Sequence, residues 1–230
     1  GGSVYASPYL KALNITAIYD RNILTFTPYV ELTLAKGLKL KSQFSYVNTG
    51  TQSFYYSPSY MPVAQRYKYG GSATRTDHEK RNLLSETTLS YNRTFKKKHK
   101  LNAVAAFTAQ NTRWNNHSQS GRGYLDDNVT AYNMGSLLDK RCMTVSTSAS
   151  ELQRYSVLAR INYSYGGRYH FTLTGRGDAS SNFAVGHKWA FFPAAAFKWS
   201  ISNEKFMRGT KSWLSDLSLR ISAGRSGNDA

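Results

Sequence analysis

At 230 residues the chain is long enough for one large β domain. It is only 40% hydrophobic but 14% aromatic, with 17 Tyr, a balance that fits a lipid-facing sheet with aromatic edges better than a soluble sandwich. Thirty Lys and Arg against 13 acids give a net charge of +17. Those cations are spread over the whole chain, with no basic helical stripe and no RNP-type motif, so nucleic acid is not the expected partner.

Taken from the N-terminus, Gly1-Gly2-Ser3-Val4 offers neither the basic start nor the apolar core of a signal peptide. There is no initiator Met, and the sequence is expected to be part of a longer protein. Alternation of apolar and polar residues predicts eight strands in four pairs. The first pair covers about 24–35 and 38–47, joined by Ala35-Lys36-Gly37. Leu38, Leu40, Phe44 and Tyr46 alternate there with Lys39, Lys41, Gln43 and Ser45. The second pair covers about 83–93 and 100–110, joined by the cluster Lys96-Lys97-Lys98-His99-Lys100, which reads as a solvated turn. The third covers about 155–165 and 168–176 around Gly166-Gly167. The fourth covers about 188–201 and 216–226, with 202–215 as a longer turn containing one helical turn.

The third pair is the most informative. Tyr155, Val157, Ala159, Ile161, Tyr163 and Tyr165 share one face, and Ser156, Arg160, Asn162 and Ser164 share the other, with Leu158 the exception. After the turn, Tyr169, Phe171 and Leu173 oppose Arg168, His170, Thr172, Thr174 and Arg176. The polar face is too rich in Arg, Asn and Thr to be a core. An apolar exterior around a wet interior is the pattern of a transmembrane β-barrel. The connections 48–82 and 111–153 read as long loops and the turns within pairs as short ones, which matches short periplasmic turns and long extracellular loops. The longest apolar run, Trp189 to Phe197, is broken by Pro193 and far short of the roughly 20 residues of a spanning helix.

From Tyr163 to Phe183 (YSYGGRYHFTLTGRGDASSNF) the chain resembles the barrel signature of the SusC/RagA family of TonB-linked outer-membrane transporters of Bacteroidetes. Residues 189–207 (WAFFPAAAFKWSISNEKFM) and 213–228 (WLSDLSLRISAGRSGN) extend the resemblance, and 20–110 fit more loosely through Lys36-Gly37-Leu38-Lys39. Two departures lie in one turn: Ala179 where the family usually has Gly after the Asp, and Ala184 where Gly usually follows the Phe.

The resemblance implies an all-β fold: an antiparallel transmembrane β-barrel segment of about eight strands from a 22-stranded barrel. Plug domain, signal peptide and remaining strands would lie outside residues 1–230. It implies import of oligosaccharides or peptides, with a SusD-like surface lipoprotein as lid, TonB acting through the plug, and outer-membrane lipid and lipopolysaccharide around the wall. It implies no enzyme activity and no cofactor.

Under that reading Arg160, Asn162, Arg168, His170, Thr172, Thr174 and Arg176 face the lumen or the plug. Val157, Ile161, Phe171, Leu173, Phe197 and Trp199 meet lipid. Aromatic faces stack on sugar rings and apolar groups, so Tyr55, Tyr56, Tyr60, Tyr67 and Tyr69 in 48–82, and Trp114 and Tyr124 in 111–153, are the candidate substrate contacts. The alternative is that these rings pack their own loops or rest in the membrane interface. Phe54, Tyr132, Asp126 and Asp127 accompany them, without the spaced oxygens of an EF-hand-type loop. His78, His99, His117, His170 and His187 show no metal-ligand spacing, and Cys142, the single cysteine, permits no internal disulfide. Arg176-Gly177-Asp178 spells an adhesion tripeptide but is expected at the end of a strand. Two rival readings stand: a self-contained small outer-membrane barrel with a structural or adhesive role, and a soluble basic β protein.

Overall fold

The computed structural model describes residues 8–128, 130–137, 139–181, 189–210 and 212–226. After a short helix α1 (Pro8–Asn14), nine strands follow: β1 (Thr16–Phe26), β2 (Tyr29–Ala35), β3 (Leu38–Ser57), β4 (Gly71–Phe95), β5 (His99–Tyr124), β6 (Met143–Tyr165), β7 (Tyr169–Ser180), β8 (Trp189–Ser200) and β9 (Ser218–Gly224). A second helix, α2 (Pro62–Tyr67), lies between β3 and β4. The strands form one antiparallel sheet in the order β1-β3-β4-β5-β6-β7-β8-β9, with β2 also paired to β3. The count is nine where eight strands were expected, because β1 and β2 occupy one place in the ladder. Pro28 separates them and has no N–H to donate; its carbonyl still accepts from Phe44 N at 3.0 Å. The order is a meander without a β1–β9 pairing among the described residues, so the sheet is open rather than a closed small barrel.

Two expected loops are mostly strand. The span 48–82 contains the second half of β3, helix α2 and the start of β4, leaving 58–70 as the connection. The span 111–153 contains the end of β5 and the start of β6, leaving 125–142. β4, β5 and β6 run 25, 26 and 23 residues, more than twice the roughly 9–11 that a tilted barrel strand uses to cross hydrocarbon. The reason for the misreading is visible on β5. Its odd positions are apolar at Leu101, Ala103, Ala105 and Phe107, then polar at Asn111, Arg113, Asn115 and His117. With both faces polar, alternation stops signalling a strand although the backbone ladder continues.

The short turns have local causes. Gly166 and Gly167 adopt φ of +59° and +69°, and Arg168 N donates to Tyr165 O at 3.0 Å. Positive φ at both central residues is what a right-twisted hairpin needs, and Gly supplies it without strain. The segment 201–217 holds two 3-10 turns, Ile201–Asn203 and Lys205–Thr210. The connection after β7, including Phe183, Ala184 and His187, lies outside the described residues, as does the terminal Gly227-Asn228. No helix among the described residues is long and apolar enough to cross a membrane.

Contacts divide the chain into two compact units. One comprises Gly1–Thr25, Val47–Arg81 and Arg113–Glu151; the other comprises Phe26–Tyr46, Asn82–Thr112 and Leu152–Ala230. The first holds the buried apolar cluster, built from Phe54, Tyr56, Ala73, Tyr124, Met134 and Leu137. The second is a single layer of sheet with many of its large apolar residues exposed, Leu173, Phe191 and Ile221 among them.

Candidate functional site

In the second unit the pairing register carries each residue type straight across the strands. One row reads Tyr163, Phe171, Phe197, Ile221 and the next Ile161, Leu173, Ala195, Ala223. The Phe171 and Phe197 rings lie 4.9 Å apart. Directly paired residues share a face, so these rows make one continuous apolar surface. It is bare: Leu173 is 58% exposed, Phe191 63% and Ile221 62%. The small side chains Ala159, Gly175, Pro193 and Ala195 leave an apolar trough in it.

The opposite face is polar in the same register. Arg160 pairs with Thr174, Asn162 with Thr172 and Ser164 with His170. Asn162 Oδ1 accepts from Thr172 Oγ1 at 2.9 Å and from Arg160 Nε at 3.4 Å, while Asn162 Nδ2 donates to Asn102 Oδ1 at 3.5 Å. This face also carries a hollow of about 880 Å³. Glu86, Gln110, Arg154, Arg176 and Asp178 line it, over a floor that includes Leu84, Val104, Leu158 and Phe192. Leu158, the exception in the sequence pattern, belongs to that floor. Arg176 Nε donates to Asp178 Oδ2 at 2.7 Å. The Arg176-Gly177-Asp178 tripeptide is therefore inside β7 and closed on itself, not at a strand end.

Arg168, expected to face the lumen or the plug, is paired with an acid from the turn after β8. Its Nη1 donates to Glu204 Oε2 at 2.7 Å, and Glu204 Oε1 also accepts from Tyr169 Oη at 2.7 Å and Trp199 Nε1 at 3.1 Å. Glu204 is only 7% exposed. The Tyr169 hydroxyl and the Arg168 guanidinium hold its carboxyl down at about 2, against burial, with the Trp199 indole assisting. Asn203 Nδ2 donates to Gly167 O at 2.9 Å, tying the long turn to the glycine turn.

In the first unit Asp127 closes the connection after β3. It accepts from Tyr56 Oη at 2.8 Å, from Ser59 N at 2.8 Å and from Ser59 Oγ at 2.7 Å. Burial pushes the Asp127 carboxyl up, but the Ser59 hydroxyl, the Ser59 amide and the Tyr56 hydroxyl together outweigh it and hold the group below its ordinary value. Tyr124 packs edge-on against Tyr56, ring centres 6.3 Å apart, and donates to Met134 O at 3.0 Å. Gly71 lies against this pair: a Cβ there would collide with the Tyr56 hydroxyl and stand 3.0 Å from Asp127 Oδ1.

The candidate substrate contacts therefore separate. Tyr56 and Tyr124 are each 2% exposed and pack the connections, so they are not available for stacking in this arrangement. Tyr60 and Tyr67, at 55% and 67% exposed, and Tyr69 lie on the connection 58–70, and Tyr55 is exposed at the end of β3. Trp114 is on β5 rather than in a loop, with Lys80 Nζ 5.7 Å from its ring centre. Arg122 lies 5.4 Å from the Tyr69 ring centre. Asp126 is engaged by Asn128, whose N and Nδ2 both donate to Oδ1 at 2.9 Å. The side chain of Tyr132 lies outside what the structure describes. Sequence reasoning missed Asp127 as the closing group and Glu204 as the anchor of the turn. The signal for the second was an acid within five residues of a strand-ending Trp. No cluster of His, Cys, Asp or Glu suited to a metal occurs among the described residues, and Cys142 is an exposed free thiol.

No protein-family model matches the chain. The TonB-dependent receptor P3 of Formosa agariphila is 29% identical over 226 residues, covering 96% of this chain and 22% of that receptor. The TonB-dependent receptor SusC of Bacteroides thetaiotaomicron is 43% identical over 72 residues, 31% of this chain and 7% of SusC. The structure of the RagAB peptide transporter matches with a TM-score of 0.84 at 21% identity, over 96% of this chain and 24% of that chain, a likeness of fold. The chain thus spans about a quarter or less of the length of each protein it matches.

Proposed function

We propose that residues 1–230 are a barrel segment of a SusC/RagA-type TonB-dependent receptor and form part of the outer-membrane wall of a nutrient importer. The cargo is an oligosaccharide or a peptide, taken up beneath a SusD-like surface lipoprotein lid. Energy enters through TonB and a plug region outside these residues. The observation that carries this reading is the two-faced single-layer sheet. One face is apolar and bare across four strands, and the other is a hydrogen-bonded polar surface with a hollow. In water such an apolar face would be an aggregation surface; in a bilayer it is the lipid contact.

The chain's own part in transport is positional. Arg160, Asn162, His170, Thr172, Thr174 and Arg176 present donors and acceptors to the lumen or the plug. Tyr55, Tyr60, Tyr67, Tyr69 and Trp114 offer stacking faces to cargo, and the Tyr56–Ser59–Asp127 closure keeps the connection that bears Tyr60, Tyr67 and Tyr69 in one shape. No step of chemistry is assigned to any residue. The open strand order disfavours the self-contained small barrel.

Cysteine accessibility in the whole receptor, expressed in cells, tests the wall. Thr172→Cys, reached through the lumen, is expected to react with a small hydrophilic maleimide, whereas Leu173→Cys is shielded by lipid. Equal labelling of both sinks the wall reading. Deleting the gene and comparing growth on oligosaccharides with growth on peptides as the sole carbon source then decides the cargo class. No growth defect on either refutes import.

A further inference from the structure

Resting on the barrel reading above, we propose that the turn 201–217 is a membrane-surface foot that binds anionic phospholipid headgroups at the short-turn side of the wall. The placement follows from the register. Tyr165, Tyr169, Trp199 and Leu219 form the last paired row of the apolar face before the turns. Glu204 accepts from both the Tyr169 hydroxyl and the Trp199 indole of that row. The turn therefore folds against the end of the row that carries Tyr169 and Trp199, and Arg168, from the opposite face, reaches round the Tyr169 ring to the same carboxylate.

From that position it displays two large rings and two cations. Phe206 is 68% exposed and Trp213 75% exposed, with Lys205 and Arg208 exposed beside them. A single exposed aromatic is ordinary on any protein. Two rings with flanking cations, next to an aromatic row that borders hydrocarbon, are the composition of an interfacial anchor: rings lie at headgroup depth and cations reach phosphate. The foot is also held in place beforehand. Ser202 N donates to Leu217 O at 3.0 Å, Ser202 Oγ to Asp216 Oδ1 at 3.1 Å, and Asn203 Nδ2 to Gly167 O at 2.9 Å. Little ordering is left to be done when the turn meets lipid.

The test uses the whole receptor in lipid nanodiscs, with native cysteines replaced (Cys142→Ser among them) and a bimane fluorophore at Phe206→Cys, Trp213→Cys or Leu173→Cys. Headgroup-nitroxide lipid, acyl-chain-nitroxide lipid and aqueous iodide are the quenchers. Expected is strong quenching at 206 and 213 by the headgroup nitroxide and at 173 by the acyl-chain nitroxide. Iodide quenching at 206 and 213 without a lipid effect overturns the foot, as does protection from all three, which would mean a protein partner covers the turn. Failure at 173 instead overturns the barrel reading itself, so the two failures are distinguishable. Charge is tested separately: exchanging phosphatidylcholine for phosphatidylglycerol strengthens the headgroup quenching, and Lys205→Ala or Arg208→Ala each weakens phosphatidylglycerol retention about fivefold. Retention unchanged in both variants refutes the anionic preference.

Discussion

Replacing Asp127 with alanine unpairs three donors at once: the Tyr56 hydroxyl, the Ser59 amide and the Ser59 hydroxyl. Tyr56 is 2% exposed, so its hydroxyl has no ready access to water once the carboxylate is gone. A buried donor left without its charged acceptor costs about 1–3 kcal/mol. The half-buried Ser59 regains water and adds roughly 0.5–1 kcal/mol. The closure should therefore loosen by about 1.5–4 kcal/mol, which raises the frequency of local opening about 10- to 1000-fold. Hydrogen exchange read by mass spectrometry on the whole receptor measures this directly, on peptides covering 54–70 and 124–137. Tyr56→Phe removes only one of the three bonds and should accelerate exchange by less, about 5- to 30-fold. An Asp127→Ala change of less than about threefold would refute the claim that this carboxylate holds the connection. A Tyr56→Phe effect as large as that of Asp127→Ala would show that the phenol, through packing or another partner, carries the closure instead.

The other predictions concern separate parts of the chain. Gly71→Ala places a methyl against the Tyr56 hydroxyl and should cost about 1–3 kcal/mol, read as faster exchange in the same peptides; an unaltered rate means that the ring can shift aside. Asp127 has a depressed pKa in the folded protein, so its contribution is fully present above its ordinary value of 3.8 and is lost as pH falls through the lower folded value. Exchange at 54–70, corrected for intrinsic pH dependence, should thus stay flat from neutral pH to about 5 and rise only in stronger acid. Glu204 follows the same sign, present above 4.5 and lost as pH falls through about 2. Its replacement by Ala should open 201–214 to protease at neutral pH, and Trp199→Phe, which keeps two of the three donors, should do so less. Leu173→Arg on the apolar face should destabilise the inserted protein by about 2–4 kcal/mol while Thr172→Arg is tolerated, as judged by the urea midpoint in bilayers; equal penalties would mean the faces are assigned wrongly.

How much the sequence carried differs along the chain for a physical reason. In β6 to β9 the period-two alternation separates an apolar face from a polar one, and the residue types record both. Strand existence and facing there were legible before any coordinates: Phe171 and Phe197 were already assigned to the apolar face. Where β4 and β5 run on through Arg75–Arg81 and Asn111–Ser120, both faces are mostly polar and the alternation is silent. Backbone hydrogen bonding continues through residues such as Asn115 and Gln119 because sheet pairing does not require a buried face, and no sequence pattern reports it.

By itself, then, the sequence determined antiparallel strands with one apolar and one polar face and the turn chemistry at Gly166-Gly167, because each depends only on neighbours one or two residues away. The tertiary structure alone decided which aromatics are offered to solvent. Tyr55 and Tyr56 are adjacent in sequence and equal in chemistry, yet one is exposed and the other is closed against Asp127, 71 residues on. It also decided that Arg168 pairs with Glu204, 36 residues on. Both outcomes depend on groups brought together from distant parts of the chain, and no local pattern encodes that meeting.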